Sequence, residues 1–296
     1  MRAVIAVDWS DQAFNAVQVA CRLFTPDELT LIHAVDTRPF ESPVTAPPIA
    51  KEAAEQLRQA LVDAGEKLLQ QTAGLVPSTV KSTRRLYQIG NPADVVLETI
   101  RSAHADLVAL GTRGRGRMAE MFLGSVSHRI VQHGSCPTLL VRGDPGRIQR
   151  VLLAIEGQED ATRLREWLTS HPFNEKAELS IISVVPVPFL GDPTLAYGYA
   201  AWTDEMEKYA HDQVQQTAEA LRPLYKIAST QVLKGDAADQ IAKTSQDKQL
   251  VIIGAHGRKG MERFLLGSVS HAVLHHVSCP VLVLRTGPRA AMGGGG

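Results

Sequence analysis

The sequence predicts an α/β fold of two tandem doubly wound domains, each a five-stranded parallel sheet with helices on both faces. Three observations predict it. Short apolar runs alternate with helical patterns along the chain, the series restarts near the midpoint, and one stretch of sequence occurs twice. Residues 111–142, GTRGRGRMAEMFLGSVSHRIVQHGSCPTLLVR, return as residues 254–285, GAHGRKGMERFLLGSVSHAVLHHVSCPVLVLR. The copies agree at 16 of 32 positions without a gap, at a fixed offset of 143 residues, which marks an internal repeat. Alternating strands and helices predict parallel strands joined by right-handed crossovers.

The elements of the first half follow in order. Ala3 to Val7 is a continuous apolar run of the kind buried on both faces of a parallel sheet, with Asp8 at its carboxyl end. Ser10 is the natural N-cap of a helix to about Phe24, with Ala13, Ala16, Val17 and Ala20 on one face. Residues 29–35 read as a second strand. Four prolines in 36–49 make a crossover, and residues 50–74 have the composition of a long helix that Gly74 terminates. A third strand over 82–88, a short helix from Pro92 and a fourth strand over 106–111 lead into the repeated motif. There 124–133 reads as a helix, Gly134 as its stop, and 138–141 as a fifth strand.

The pattern then restarts. Residues 150–156 repeat 2–8, and 179–185 repeat the second strand. Residues 186–199 read as a proline- and glycine-rich crossover, and 204–221 as its helix. Residues 228–233, 235–246, 250–254 and 280–284 complete the second copy. The expected division is residues 1–143 and 150–287 as domains, 144–149 as linker, and 288–296 as a disordered glycine-rich tail.

Composition narrows the function classes. The net charge is zero and the pI about 7.2, which gives no footprint for nucleic acid or a basic membrane surface. Met1 leads into an apolar run without a basic leader or cleavage pattern, and no apolar run approaches a membrane span, so the expected location is the cytoplasm. Cys21, Cys136 and Cys279 form no Cys-x-x-Cys pair and read as reduced thiols, with Cys136 and Cys279 expected to be inert in the core.

The chemistry sits in the repeat, whose spacing is Gly-x2-Gly-x9-Gly-Ser. In an open parallel sheet, ligands bind beyond the carboxyl ends of the strands where strand order reverses. Gly111 and Gly114, like Gly254 and Gly257, allow close backbone approach. Gly124 and Gly267 precede helices whose free N–H groups attract anions. Ser125 and Ser127, or Ser268 and Ser270, add hydroxyls, while Arg113, Arg115 and Arg117 surround the first loop with charge suited to a polyphosphate. Better-known phosphate loops fail on residues. The Walker-like glycines at 111 and 116 continue with Arg117-Met118, and a Rossmann motif begun at Gly114 meets Ala119.

With the Ser-Cys-Pro and fifth strand that follow it, this doubled motif resembles the universal stress protein family over both halves. The resemblance implies an ATP site in the first half. It places an acidic nucleoside contact on Asp8 and adenine packing on Val35. It places ribose and phosphate contacts on Gly111, Thr112, Gly114, Gly124, Ser125, Val126 and Ser127, to which the loop chemistry adds Arg115. Magnesium is expected with the nucleotide, since it commonly bridges phosphate oxygens. The second half departs from the pattern, with Glu156-Gly157 for Asp8-Trp9 and Ala255-His256 for Thr112-Arg113. A weaker second site is therefore expected over Glu156, Val185, Gly254, Gly257, Arg258, Gly267, Ser268, Val269 and Ser270. The family further implies an intramolecular pseudo-dimer through the fifth strands of the two halves, and a possible homodimer.

The expected role is nucleotide-binding regulation in stress physiology and not enzymic turnover, because no general base is paired to a nucleophile and no lysine is placed against terminal phosphates. Two alternatives stand beside it. An adenine-nucleotide hydrolase would need Ser-Gly-Gly-x-Asp-Ser after the first strand, where this chain has Asp8-Trp9-Ser10-Asp11. A partner- or lipid-binding module would use the crossovers, notably Phe189, Tyr197, Tyr199 and Trp202. Histidines 128, 133, 271, 275 and 276 lack the cysteine or acidic companions of a zinc site, so no metal is assigned to them.

Overall fold

The computed structural model describes residues 1–37, 50–112, 123–144, 146–187, 196–255 and 266–285. The chain divides into two units, residues 1–144 and 145–296. The first runs β1 (Arg2–Ala6), α1 (Asp11–Leu23), β2 (Glu28–Val35), α2 (Ala50–Ala73), β3 (Ser82–Ile89), α3 (Pro92–Ser102), β4 (Leu107–Gly111), α4 (Ser125–His133) and β5 (Thr138–Val141). Its strands pair in parallel in the order β3-β2-β1-β4-β5. Helix α1 packs on β4 and β5 and helix α2 on β2 and β3, while α3 packs on β2 and against α4.

The central strands are apolar because both faces are covered. Val4, Ile5, Leu107, Val108 and Ala109 are fully buried, each large side chain contributing roughly 1.5–3 kcal/mol. Local chemistry sets the helix starts. Ser10 Oγ accepts from Ala13 N at 3.2 Å, and Asn91 Oδ1 accepts from Ala93 N at 3.0 Å, with Pro92 in the first turn of α3.

The second unit runs β6 (Arg150–Ile155), α5 (Gly157–Ser170), β7 (Glu178–Val185), α6 (Ala196–Leu221), β8 (Lys226–Lys234), α7 (Ala237–Thr244), β9 (Leu250–Gly254), α8 (Ser268–His276) and β10 (Val281–Leu284). Its parallel order is β8-β7-β6-β9-β10. Each unit is thus the doubly wound five-stranded α/β domain that the alternation predicts.

Three features differ from expectation. Helix α6 begins at Ala196, so Tyr197, Tyr199 and Trp202 are helical and not part of a crossover loop. Pro193 is the last proline before it, and Gly198 inside a helix costs only about 1 kcal/mol, which the face of Ala210, Val214, Ala218 and Leu221 buried further along offsets. Phe189 lies outside the described residues, as do 38–49 of the first crossover and the tail from 286. Gly134 ends α4 with extended backbone, φ −61° and ψ 142°, not in the left-handed form. Val277 ends α8 in the same way, because the extended conformation suits either residue. Finally, the turn out of β6 uses Gly157 at φ +68°, a left-handed conformation that Trp9 does not adopt after β1.

Candidate functional site

In the first unit, strand order reverses between β1 and β4, with β2 and β3 to one side and β5 to the other. Asp8 follows β1 and Thr112 follows β4, so the two flank the crevice that open parallel sheets use for ligands. In the second unit Glu156 and Ala255 hold the same places after β6 and β9.

The far end of each crevice is built identically. Gly124 N donates to Thr112 O at 2.8 Å, and Gly267 N to Ala255 O at 2.8 Å, closing each glycine loop at its base. Thr112 N bonds Val141 O at 3.1 Å and Ala255 N bonds Leu284 O at 3.0 Å, which ties the base to the fifth strand of its unit. Ser127 Oγ donates to Gly111 O at 2.8 Å, and Ser270 Oγ to Gly254 O at 2.8 Å. Those two serines are buried and their protons are committed, so they staple the helix to the strand tip. Among the described residues no side chain caps α4 or α8. The N–H groups of Ser125, Val126 and Ser127, and of Ser268, Val269 and Ser270, are left to face an anion. Ser125 and Ser268 are exposed and Val126 and Val269 half-buried. Gly114, Arg115, Gly257 and Arg258 lie outside the described residues.

The near ends differ. Asp8 Oδ1 accepts from Ser10 N at 2.9 Å and from Ser10 Oγ, leaving Oδ2 without a hydrogen bond among the described residues. Thr112 is buried, and its hydroxyl donates to Gln12 Oε1 at 2.8 Å. Val35 is half-buried at the tip of β2, whereas Val185 at the tip of β7 is buried. In the second unit Glu156 is exposed. Its N–H donates to Asp160 Oδ2 at 3.0 Å. Burial pushes the Asp160 carboxyl up to about 7; the Glu156 charge adds to the rise and the hydrogen bond from the Glu156 backbone opposes it.

The first glycine of each motif copy has a neighbour within its own chain. A Cβ on Gly111 would stand 2.8 Å from Gln12 Cβ and 3.1 Å from Gln12 C. A Cβ on Gly254 would stand 2.0 Å from Asp160 Oδ1. Close approach is what these glycines provide, and helices α1 and α5 make that approach. Sequence reasoning missed Gln12 and Asp160. The available signal is their shared position, four residues after Asp8 and Glu156, where one helical turn brings a side chain back over the strand tip.

Also unforeseen is Arg285, which directly follows β10. It is 8% exposed, its Nε and Nη2 have no hydrogen-bond partner among the described residues, and burial lowers its pKa. Cys21 and Cys136 are buried, their thiols pushed up to about 11 and about 12 by desolvation, so neither is a ready thiolate. Among the described residues no cluster of His, Cys, Asp or Glu is arranged to hold a metal. A cavity of about 170 Å³ between β2, β3 and α3, lined by Thr30, Arg84, Gln88, Glu98 and Ser102 among others, touches none of the crevice residues.

The profile of the universal stress protein family matches residues 1–142 and again residues 147–285. The chain belongs to the universal stress protein family. It is similar along nearly its whole length to a universal stress protein of Mycobacterium tuberculosis, 26% identical over 294 residues and covering 95% of each chain. A second protein of that name from Mycobacterium tuberculosis is 29% identical over 251 residues, covering 75% of this chain and 77% of the relative. Among solved structures, a universal stress protein from Archaeoglobus fulgidus superposes with a TM-score of 0.60 at 15% identity, covering 97% of each chain. That likeness shows a shared tandem fold. One half-length structure, a family protein from Arabidopsis thaliana, holds AMP; it covers 47% of this chain with a TM-score of 0.32 and 21% identity. No described helix of this universal stress protein is long and apolar enough to cross a membrane.

Proposed function

We infer that the first crevice binds an adenine nucleotide, ATP in the leading case, and that the protein acts as a cytoplasmic nucleotide-holding regulator of stress physiology. One observation carries this reading. The uncapped N–H groups of Ser125, Val126 and Ser127 are pinned, by the Gly124–Thr112 and Ser127–Gly111 bonds, across the switch point from the Asp8 carboxylate. The N–H groups suit phosphate oxygens, and a carboxylate with an unbonded oxygen suits ribose hydroxyls. Gly114 and Arg115 join the phosphate end on the strength of the motif, and Val35 the adenine side. Ser127 acts through its backbone, since its hydroxyl holds Gly111.

Magnesium fits as a passenger of the nucleotide's phosphates, because the described residues offer it no carboxylate cage. The second crevice, over Glu156, Val185, Gly254, Gly257, Arg258, Gly267, Ser268, Val269 and Ser270, is the weaker site. The role proposed is binding rather than turnover, in keeping with the sequence motif, which places no lysine against the terminal phosphates. The family's habit of pairing fifth strands assigns an intramolecular pseudo-dimer to β5 and β10, with a homodimer as the next level of assembly.

The test is mass spectrometry of small molecules released on denaturing the purified protein, followed by titration calorimetry with Mg-ATP. A released adenine nucleotide, or saturable binding, is the expected result. An empty protein that takes up no Mg-ATP overturns the reading.

A further inference from the structure

We propose that Asp160 is the specificity-determining residue of the second crevice: an anionic nucleotide enters there together with one proton, taken up by the Asp160 carboxylate. The first crevice, with Gln12 in that place, takes its ligand without a proton. This rests on the nucleotide reading of the crevices given above.

The geometry is the argument. Asp160 stands between the carboxyl ends of β6 and β9, with Oδ2 on the Glu156 N–H and Oδ1 packed against Gly254 so closely that no Cβ fits. Oδ1 has no hydrogen-bond donor among the described residues. Ionised, it is therefore satisfied by water reaching it through the crevice. A ligand that covers the crevice removes that water and leaves a bare carboxylate beneath an anion, an arrangement that costs free energy unless the group neutralises. Protonation removes the charge and turns Oδ1 into a hydroxyl donor for a ligand oxygen or ring nitrogen.

The surroundings push the same way. From the tip of β6, Glu156 adds a like charge. On α5, Arg163 is engaged by Glu159 in an ion pair. From α6, the Tyr209 hydroxyl accepts from Gln158 N at 3.0 Å. β9 over Leu250–Gly254 carries no titratable side chain. No described cation is thus placed to hold the carboxylate ionised once water leaves, and burial already lifts its pKa to about 7. In the first unit the same place holds a neutral amide, occupied by the Thr112 hydroxyl.

The experiment is calorimetric titration of the full chain with Mg-ATP at about pH 6 and about pH 8, either side of the shifted carboxyl, in buffers of different ionisation enthalpy. The first crevice is the internal control for titration of the ligand itself. Expected is a second site that tightens about tenfold as the pH falls, with uptake of close to one proton at the higher pH. Asp160→Asn keeps an acceptor for Glu156 N–H and supplies a permanent donor, so it should bind at both pH values without proton uptake. Asp160→Gln, which copies Gln12, guards against a folding failure in the first variant. Second-site affinity and proton uptake unchanged in both variants overturn the proposal. So does a protein whose first crevice binds while the second stays empty at every pH and in every variant. Absence of binding at both crevices instead overturns the nucleotide reading itself.

Discussion

The two crevices are best understood side by side. At the helix-start end they match bond for bond: a glycine N–H closes each loop at 2.8 Å, and a serine hydroxyl staples each helix to its strand at 2.8 Å. At the opposite end, after the first strand of each unit, they part. One presents Asp8 held by Ser10, with Gln12 on the Thr112 hydroxyl; the other presents an exposed Glu156 and a half-buried carboxyl at Asp160. The backbone departs at the same point, through Gly157 at φ +68°. A repeat can therefore keep a cradle made by main-chain bonds while the side chains facing it diverge, because the cradle needs only small residues and one hydroxyl.

Four perturbations test that contrast, beginning with the largest. Gly111→Ala drives its new methyl onto Gln12 Cβ and the Gln12 backbone, neither of which can move without shifting α1. We expect a loss of about 3 kcal/mol in urea unfolding. Gly254→Ala meets only the tip of the Asp160 side chain, and should cost about 1 kcal/mol. Equal losses would show that the two glycines do the same work.

The next effect is on pH dependence. Folded Asp160 keeps its proton up to about pH 7, whereas an unfolded aspartate loses it near the ordinary value of 3.8. The folded state therefore binds more protons across that window, and this group's contribution to stability falls as pH rises from about 4 to about 7, then stays low. Asp160→Asn should flatten that slope and be more stable than the parent at about pH 8 by ~2 kcal/mol, roughly half the full linkage because the side chain keeps some contact with water. Thermal unfolding across the window measures it; a parent whose stability does not fall relative to the variant contradicts the assignment.

Smaller and symmetric are Ser127→Ala and Ser270→Ala. Each orphans a glycine carbonyl at a strand tip, for about 1 kcal/mol apiece. Unequal values would mean that the shared end is less alike than its geometry. Last, Tyr209→Phe removes the acceptor of Gln158 N, a contact at the solvent-exposed start of α5, and should cost about 0.5 kcal/mol in denaturant unfolding.

Much of this was legible beforehand for physical reasons. Strand cores such as Val4–Ile5 and Leu107–Ala109 are continuous apolar runs because both faces of a parallel sheet are covered. Ser10 and Asn91 announce helix starts because a short polar side chain is what the first turn lacks. The start of α6 was misread because propensity is local, and Tyr197, Tyr199 and Trp202 sit in a stretch that the long apolar face further along draws into the helix. Of the candidate site, Asp8, Thr112, Gly124 and Ser125 could be placed from the repeat, as could Glu156, Gly267 and Ser268. Gln12, Asp160 and the committed hydroxyls of Ser127 and Ser270 could not.

By itself, then, the sequence determined the repeat, the alternation of strands and helices, and the spacing of the two glycine motifs, since each depends on residues near one another in the chain. Only tertiary structure decided why Gly111 and Gly254 must be glycine, that Thr112 is spoken for by Gln12 across 100 residues, and that Asp160 lies under the second crevice. Those facts depend on how closely a helix settles onto a strand tip, a distance of tenths of an ångström that sequence spacing does not encode.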